Sequence, residues 1–291
     1  MAEEKATKKP AEWTLLYHGA GKFKGRGEII RLMFEDKKVE YDYQGDNLYG
    51  PTGMMDCFRG SAEAVAKGES AVALPNPVFF PPAIWHRPPN GEEVIVNQVA
   101  ACMIYIGDFL GYSPTSPTEK AMANMIILNA MDYISRGRSS FHPVKDSMSY
   151  NDQKEEGDKS SLEWTKEKMP IWLAHFEKVV KKHGPKAPVA GGSSVSYADF
   201  ALFHVLDATV VQFNNAKYEM AWDKQDVPTL KEYYEWMKAR PNLKAYFESD
   251  RVARKFTTSF DCCDILQNLQ NSTPFLFPSN LTAAWAGDSM M

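Results

Sequence analysis

Long apolar runs are missing from this sequence. No uninterrupted stretch approaches the roughly 18 residues a membrane-crossing helix needs. The greasiest region, AVALPNPVFFPPAIW at residues 71–85, is broken by prolines and cannot be such a helix. Basic excess is missing too. Lys and Arg total 33 against 37 Asp and Glu, a net charge of -4. That argues against a nucleic-acid or anionic-membrane partner, which needs a basic face. Cysteines are few: Cys57, Cys102, Cys262 and Cys263, with no CxxC spacing. They form neither a zinc set nor a disulfide scaffold. No unit of about 20–50 residues repeats, which excludes a solenoid. The first residues, MAEEKATKKPAEW, carry charge and no apolar core, so they read as a disordered tail rather than a secretory signal. A reducing, cytoplasmic setting is therefore expected, and the sequons at Asn271 and Asn280 are taken as chance matches.

What is present is ordinary for a globular protein of 291 residues: 44% hydrophobic and 24% charged. The patterning divides the chain. WTLLYH, residues 13–18, is a short apolar run ended by glycines and predicts a buried strand. Ile29, Ile30, Met33 and Phe34 follow at helical spacing, and VEYDYQ at residues 39–44 alternates like a second strand. SAEAVAK at residues 61–67 reads as a helix. The runs VFF, AIW and EVIV flank a turn containing PPNG, which predicts a hairpin with a long tip. Residues 98–110 return to helical spacing, and the Pro- and Ser-rich GYSPTSPTE that follows is the best linker.

Beyond it only helical patterns appear. Ile127, Ala130, Met131 and Ile134 form one; Met169, Trp172, Leu173, Phe176 and Val180 form another; Leu230, Tyr233, Tyr234 and Met237 a third. One helix start is marked clearly. Ser196 and Asp199 have capping-box spacing, with Val195 and Phe200 placed as a hydrophobic staple. The helix they open is apolar on most sides and is expected at the centre of its half.

The glycine-rich stretch LLYHGAGKFKGRGEIIR, residues 15–31, first suggests a phosphate cradle. The spacing fails both templates. Gly19 and Gly21 start a GxGxxG pattern, but Lys24 stands where its third glycine belongs; Gly21-Lys22 is followed by Phe23, not the Ser or Thr of a P-loop.

A wider ordered set fits better: Tyr17 after a strand, GRGE opening a helix with IIR, FPPAI, VIVNQVAACMIYIG, SYADFALF and ARPNLKAYFES. Together these resemble the cytosolic glutathione transferases of the tyrosine type, nearest the sigma and pi classes, over roughly residues 13–256. The segment FHPVKDSMSYNDQK at 141–154 looks like uncharacterised microbial and algal members. The resemblance implies an α/β thioredoxin-like N-terminal domain and an all-α helical C-terminal domain. The expected division is a tail at 1–12, a glutathione-binding domain at 13–110, a linker at 111–118, a helical domain at 119–256 and an extension at 257–291. A homodimer is implied as well.

The resemblance also implies roles. Tyr17 would donate a hydrogen bond to the glutathione sulfur; a preorganised donor stabilises the thiolate nucleophile. His18 stands beside it as a competing polar neighbour. Arg26 matches the arginine of the GR dipeptide near the same site. Phe80, Pro81, Pro82 and Ala83 match the cis-proline segment, which pairs its backbone with the glutathione cysteine. Pro82 is taken as the cis residue, which puts Pro81, lacking an N–H, at the pairing position; with Pro81 cis, Phe80 would pair instead. Gln98 matches the residue that holds the γ-glutamyl group at a helix N-terminus. Val99 departs from the family's Ser/Thr and lacks the hydroxyl that would bind the carboxylate, which weakens glutathione binding unless Asn97 or a backbone amide compensates. Asp132 sits where related enzymes place an acid reaching the partner subunit's glutathione, and Tyr133 and Arg136 are near enough to line an electrophile pocket. TPFLFPSNL in the extension has residues that suit packing over the cleft.

The expected function is conjugation of the glutathione thiolate to a small hydrophobic electrophile, or an isomerase or peroxidase variant of that chemistry, with glutathione as co-substrate and no metal. The alternative is a non-catalytic binding or structural protein of the same fold, like the lens crystallins, with a weakened glutathione site. Tyr17 and Gln98 favour the enzyme; Pro81, Val99 and a longer loop after Tyr17 favour the alternative.

Overall fold

The computed structural model describes residues 11–17, 24–44, 74–146 and 148–252. His18, the SAEAVAK segment, three of the cysteines and the C-terminal extension lie outside the described residues.

Strand β1, Trp13–Leu16, is buried throughout and lies inside a four-stranded sheet of order β2-β1-β3-β4. With Thr14 as its one polar residue, it suits a strand covered on both faces. It pairs in parallel with β2, Tyr41–Gln44, and antiparallel with β3, Ala83–His86, so that Trp13 lies between Tyr41 and His86. Strand β4, Val94–Asn97, completes the hairpin with β3. The hairpin arm begins only at Ala83. Pro81 and Pro82 have no N–H to contribute to a ladder, and Phe79 and Phe80, expected in the arm, are exposed.

Helix α1, Arg26–Lys37, crosses from β1 to β2. Its apolar residues Ile29, Ile30, Met33 and Phe34 are fully buried, as the spacing predicts. Its charged residues Glu28, Arg31, Glu35 and Asp36 are buried too, because the helical half covers the opposite face. Helix α2, Val99–Leu110, follows β4 and stops at Gly111, whose φ of +75° is a left-handed turn that glycine adopts without strain.

The helical half starts with α3, Pro117–Phe141, whose N-cap Ser116 accepts the Glu119 N–H at 3.1 Å. Its connection to α4, Lys154–Glu163, is organised by one buried side chain. Gln153 Oε1 accepts the Val144 N–H (2.9 Å), and Nε2 donates to the carbonyls of Lys145 (3.0 Å) and Met148 (2.9 Å). Helix α4 runs through a π-helical turn, Trp164–Lys168, into α5, Met169–Lys181. Pro170 at the start of α5 removes one N–H and displaces the carbonyl four residues earlier, which accounts for the widened turn.

Helix α6, Tyr197–Phe213, buries 14 of its 17 residues and packs against both α3 and α1. The capping box is present. Asp199 Oδ2 accepts the Ser196 N–H at 2.7 Å, while Oδ1 accepts the Val189 N–H at 2.8 Å and the Tyr233 hydroxyl at 2.9 Å. Burial raises the Asp199 pKa and these hydrogen bonds oppose it. Helices α7, Pro228–Lys238, and α8, Pro241–Phe247, close the fold. Among the described residues every strand lies before residue 98, and one continuous core joins the sheet to the helices. This is a thioredoxin-like sheet domain followed by an all-helical one.

Candidate functional site

Tyr17 is the residue immediately after β1, and its side chain is 5% exposed. The chain returns to the same place at the first turn of α1. There the Arg26 N–H, one of the donors a helix cannot satisfy internally, donates to Tyr17 Oη at 2.9 Å. The N-cap is Gly25, which has no side chain to do this. The phenol therefore caps the helix, and its oxygen sits at the positive end of α1. Gly27 makes the approach possible. A Cβ there would lie 2.5 Å from both Cγ and Cδ1 of the Tyr17 ring, closer than atoms can stand.

Arg26 turns its guanidinium toward the helical half, where Nη2 donates to Ser135 Oγ on α3 at 2.9 Å. The side chain thus bridges the halves instead of extending into solvent as an ordinary first-turn charge would. Ser135 has no signal in the sequence; it is found only through this contact.

On the other side of the sheet edge, the cis peptide bond is Pro81-Pro82, so Pro82 is the cis residue and Pro81 the one before it. Asn97 Nδ2, at the end of β4, donates to the Phe80 carbonyl at 3.3 Å. Ala83 is buried and belongs to the ladder, opposite Leu16 and Asn97. Gln98 follows with φ +71° and ψ +122°, a conformation side-chain-bearing residues rarely adopt. Strain of this kind costs about 1–3 kcal/mol and gathers at ligand clamps. The Gln98 side chain is exposed and makes no cap bond to α2, a 12-residue helix. Val99, the first helical residue, is 4% exposed and packs in the core.

The remaining candidates scatter. Asp132 is exposed on α3. Tyr133 is fully buried, its hydroxyl 2.7 Å from Thr209 Oγ1, so it does not line a pocket as its position suggested. Arg136 stands on the wall of a groove of about 620 Å³ between α3 and the α4–α5 helix, with Trp164 and Trp172 opposite. Cys102 is buried with Sγ 3.1 Å from the Val96 carbonyl, and burial pushes its thiol pKa up, which makes it inert. Among the described residues no group of three His, Cys, Asp or Glu is placed to hold a metal ion, and no helix is long and apolar enough to cross a membrane.

Sequence reasoning missed the polar contacts that join the halves. Arg240 makes a two-pronged pair with Asp36 (2.9 and 2.6 Å), which also accepts from the Tyr112 hydroxyl at 2.7 Å. Arg251 does the same to Glu35 (3.1 and 2.6 Å). Tyr246 donates to Glu28 at 2.8 Å, and Lys24 meets Asp207 at 3.1 Å. Each partner lies far away in the chain, so no local pattern announces these contacts.

Comparison with known proteins adds to this geometry. The family model described as glutathione S-transferase, C-terminal domain, matches residues 139–250. The class-mu 26 kDa glutathione S-transferase isozyme 51 of Fasciola hepatica is 27% identical over 236 residues, 81% of this chain and 89% of that one. Glutathione S-transferase P 10 of Caenorhabditis elegans is 24% identical over 250 residues, 82% and 93% of the two chains. Among solved structures, the Onchocerca volvulus pi-class glutathione S-transferase superposes with a TM-score of 0.55 at 20% identity, covering 81% of this chain and 92% of its own. The prostaglandin synthase D of Nilaparvata lugens does so with a TM-score of 0.55 at 19%, covering 81% and 97%. Fold, family model and relatives matched over most of their length point the same way: the chain is similar to the cytosolic glutathione transferases, and residues 139–250 match that family's C-terminal domain.

Proposed function

We propose that this protein is a tyrosine-type glutathione transferase with Tyr17 as the group that stabilises the thiolate. The observation that carries this is the 2.9 Å contact from the Arg26 N–H to Tyr17 Oη. It fixes the phenol oxygen as an acceptor at the positive end of α1, which orients the O–H hydrogen for donation to an anion.

Residues 13–110 would bind glutathione and 119–256 would complete the cleft, with 111–118 joining them. Gln98 and the N–H groups opening α2 suit the γ-glutamyl carboxylate. Asn97, holding the Phe80 carbonyl, and Pro81, Pro82 and Ala83 form the edge along which the glutathione cysteine would lie. With Pro81 lacking an N–H, this edge offers a carbonyl only. Arg26 positions the first turn through Ser135. Asp132, exposed on α3, is assigned to a partner subunit's glutathione in a homodimer.

In the reaction the glutathione S–H gives its proton to solvent, and Tyr17 donates to the resulting thiolate. The thiolate attacks the electrophilic carbon, an S–C bond forms, and the leaving group departs with the bonding pair. The substrate class is a small hydrophobic electrophile. The test is conjugation of glutathione with a generic aryl halide, alongside calorimetric glutathione binding. Thiol-dependent turnover that falls strongly in Tyr17→Phe supports the reading. A protein that neither binds glutathione nor turns over sinks it. That second outcome would favour a non-catalytic member of the fold, a reading supported by the burial of Val99 where the family carries a hydroxyl.

A further inference from the structure

We propose that Lys24 and Asp207 are positioning residues for the Tyr17 phenol: their ion pair anchors the N-terminus of α1 to the helical half, so that the Arg26 N–H meets Tyr17 Oη. The inference rests on the catalytic assignment of Tyr17 made above.

Lys24 stands two residues before the N–H in question. Its side chain does not follow the surface, as lysine ordinarily does. It crosses to α6, where Nζ lies 3.1 Å from Asp207 Oδ2, with the two side chains only 8% and 13% exposed. Its ammonium also lies 5.1 Å from the centroid of the Phe247 ring on α8. The acceptor is itself fixed: the Tyr234 hydroxyl on α7 donates to Asp207 Oδ1 at 2.9 Å. Thus α6, α7 and α8 all contribute to holding one loop residue. His204, one turn earlier on α6, lies in the same surroundings, where burial keeps it neutral with a pKa lowered to about 4.

Between this anchor and the catalytic contact there are only Gly25 and the Arg26 amide itself. Gly25 makes no side-chain cap bond, and Gly27 leaves the Tyr17 ring in direct contact with the helix backbone. The Gly25 carbonyl accepts the Glu28 N–H at 2.9 Å, which ties Gly25 to the first turn of α1, so a shift of the Lys24 backbone passes to the Arg26 N–H. The second interdomain pair, Asp36–Arg240, sits near the far end of the same helix. It ties the halves together without touching the site, and so serves as the control.

The experiment follows the Arg26 amide resonance in protein labelled with ¹⁵N-arginine, without glutathione, together with kcat and KM. Asp207→Asn is expected to displace that resonance to an extent comparable with Tyr17→Phe. It should lower kcat about tenfold or more while KM for glutathione stays within about twofold. Lys24→Arg, which keeps the charge, should displace the resonance and lower kcat less than Lys24→Gln does, and Arg240→Gln should lower the melting temperature and leave both in place. Lys24→Gln takes the place of Asp207→Asn if the latter does not fold. The proposal is overturned if the resonance stays put in Asp207→Asn, if Tyr17→Phe itself fails to move it, or if Arg240→Gln moves it as far. A wild-type protein that does not bind glutathione would sink the transferase reading alone, because the amide measurement needs no glutathione.

Discussion

Tyr17 and Arg26 are nine residues apart and joined by one hydrogen bond, 2.9 Å from backbone nitrogen to phenol oxygen. The bond caps α1, places the oxygen in the field of the helix end, and ties the end of β1 to the start of α1. Tyr17→Phe removes both the proposed donor to sulfur and the acceptor for this N–H. Loss of a preorganised donor to an anion lowers kcat by about a hundredfold. The amide left without its partner costs about 1–3 kcal/mol of stability. Steady-state conjugation rates and denaturant melts of the same variant check both effects.

Gly27→Ala probes the same contact from the other side. The added Cβ falls 2.5 Å from the Tyr17 ring, so the ring must move off the helix. Helix propensity alone predicts a gain of about 1 kcal/mol for this change. The expected outcome is the opposite: lower stability and an activity loss of about tenfold or more. A more stable, fully active variant would show that the ring does not need its position.

Much of this architecture is legible in the sequence, and its limits are physical. WTLL reads as a buried strand because both faces of it are covered, and Ser196/Asp199 reads as a helix start because a cap is a local interaction. The burial of the α1 acids is illegible for the converse reason. Glu28, Glu35 and Asp36 are matched by Tyr246, Arg251 and Arg240, more than 200 residues away, and no local pattern records such a partner. Lys24 and Asp207, 183 residues apart, are hidden in the same way. The strain at Gln98 is equally invisible, since nothing in the identity of a glutamine foretells a positive φ.

Val99→Ser restores the hydroxyl that the resemblance implies. A hydrogen bond to a charged group is worth about 1.5–3 kcal/mol, so glutathione affinity should rise about tenfold or more. Val99 is buried, so removing its methyl groups should lower stability by about 1 kcal/mol. Calorimetry and a melt measure the two separately. Unchanged affinity would mean that the start of α2 does not face the ligand.

His204 gives a pH prediction. Its pKa is lowered by burial, the largest cause, to about 4, with Lys24 adding to the effect and Asp207 opposing it. The unfolded chain titrates this group near 6.5, so between about pH 6.5 and 4 the unfolded state binds the extra proton and stability falls as pH falls. From pH 7 to 5 this contribution is about 2 kcal/mol. Melts of the wild type and of His204→Gln at the two pH values should show a smaller loss in the variant; equal losses would mean that His204 is already charged in the folded protein.

The central claim is that Tyr17 stabilises the glutathione thiolate, and the most direct test is the ultraviolet absorbance of bound thiolate as a function of pH. In the wild type the bound thiol is expected to ionise well below the reference value of about 8.5 for a free thiol. In Tyr17→Phe it should return toward that value. Identical titrations in the two proteins would contradict the account.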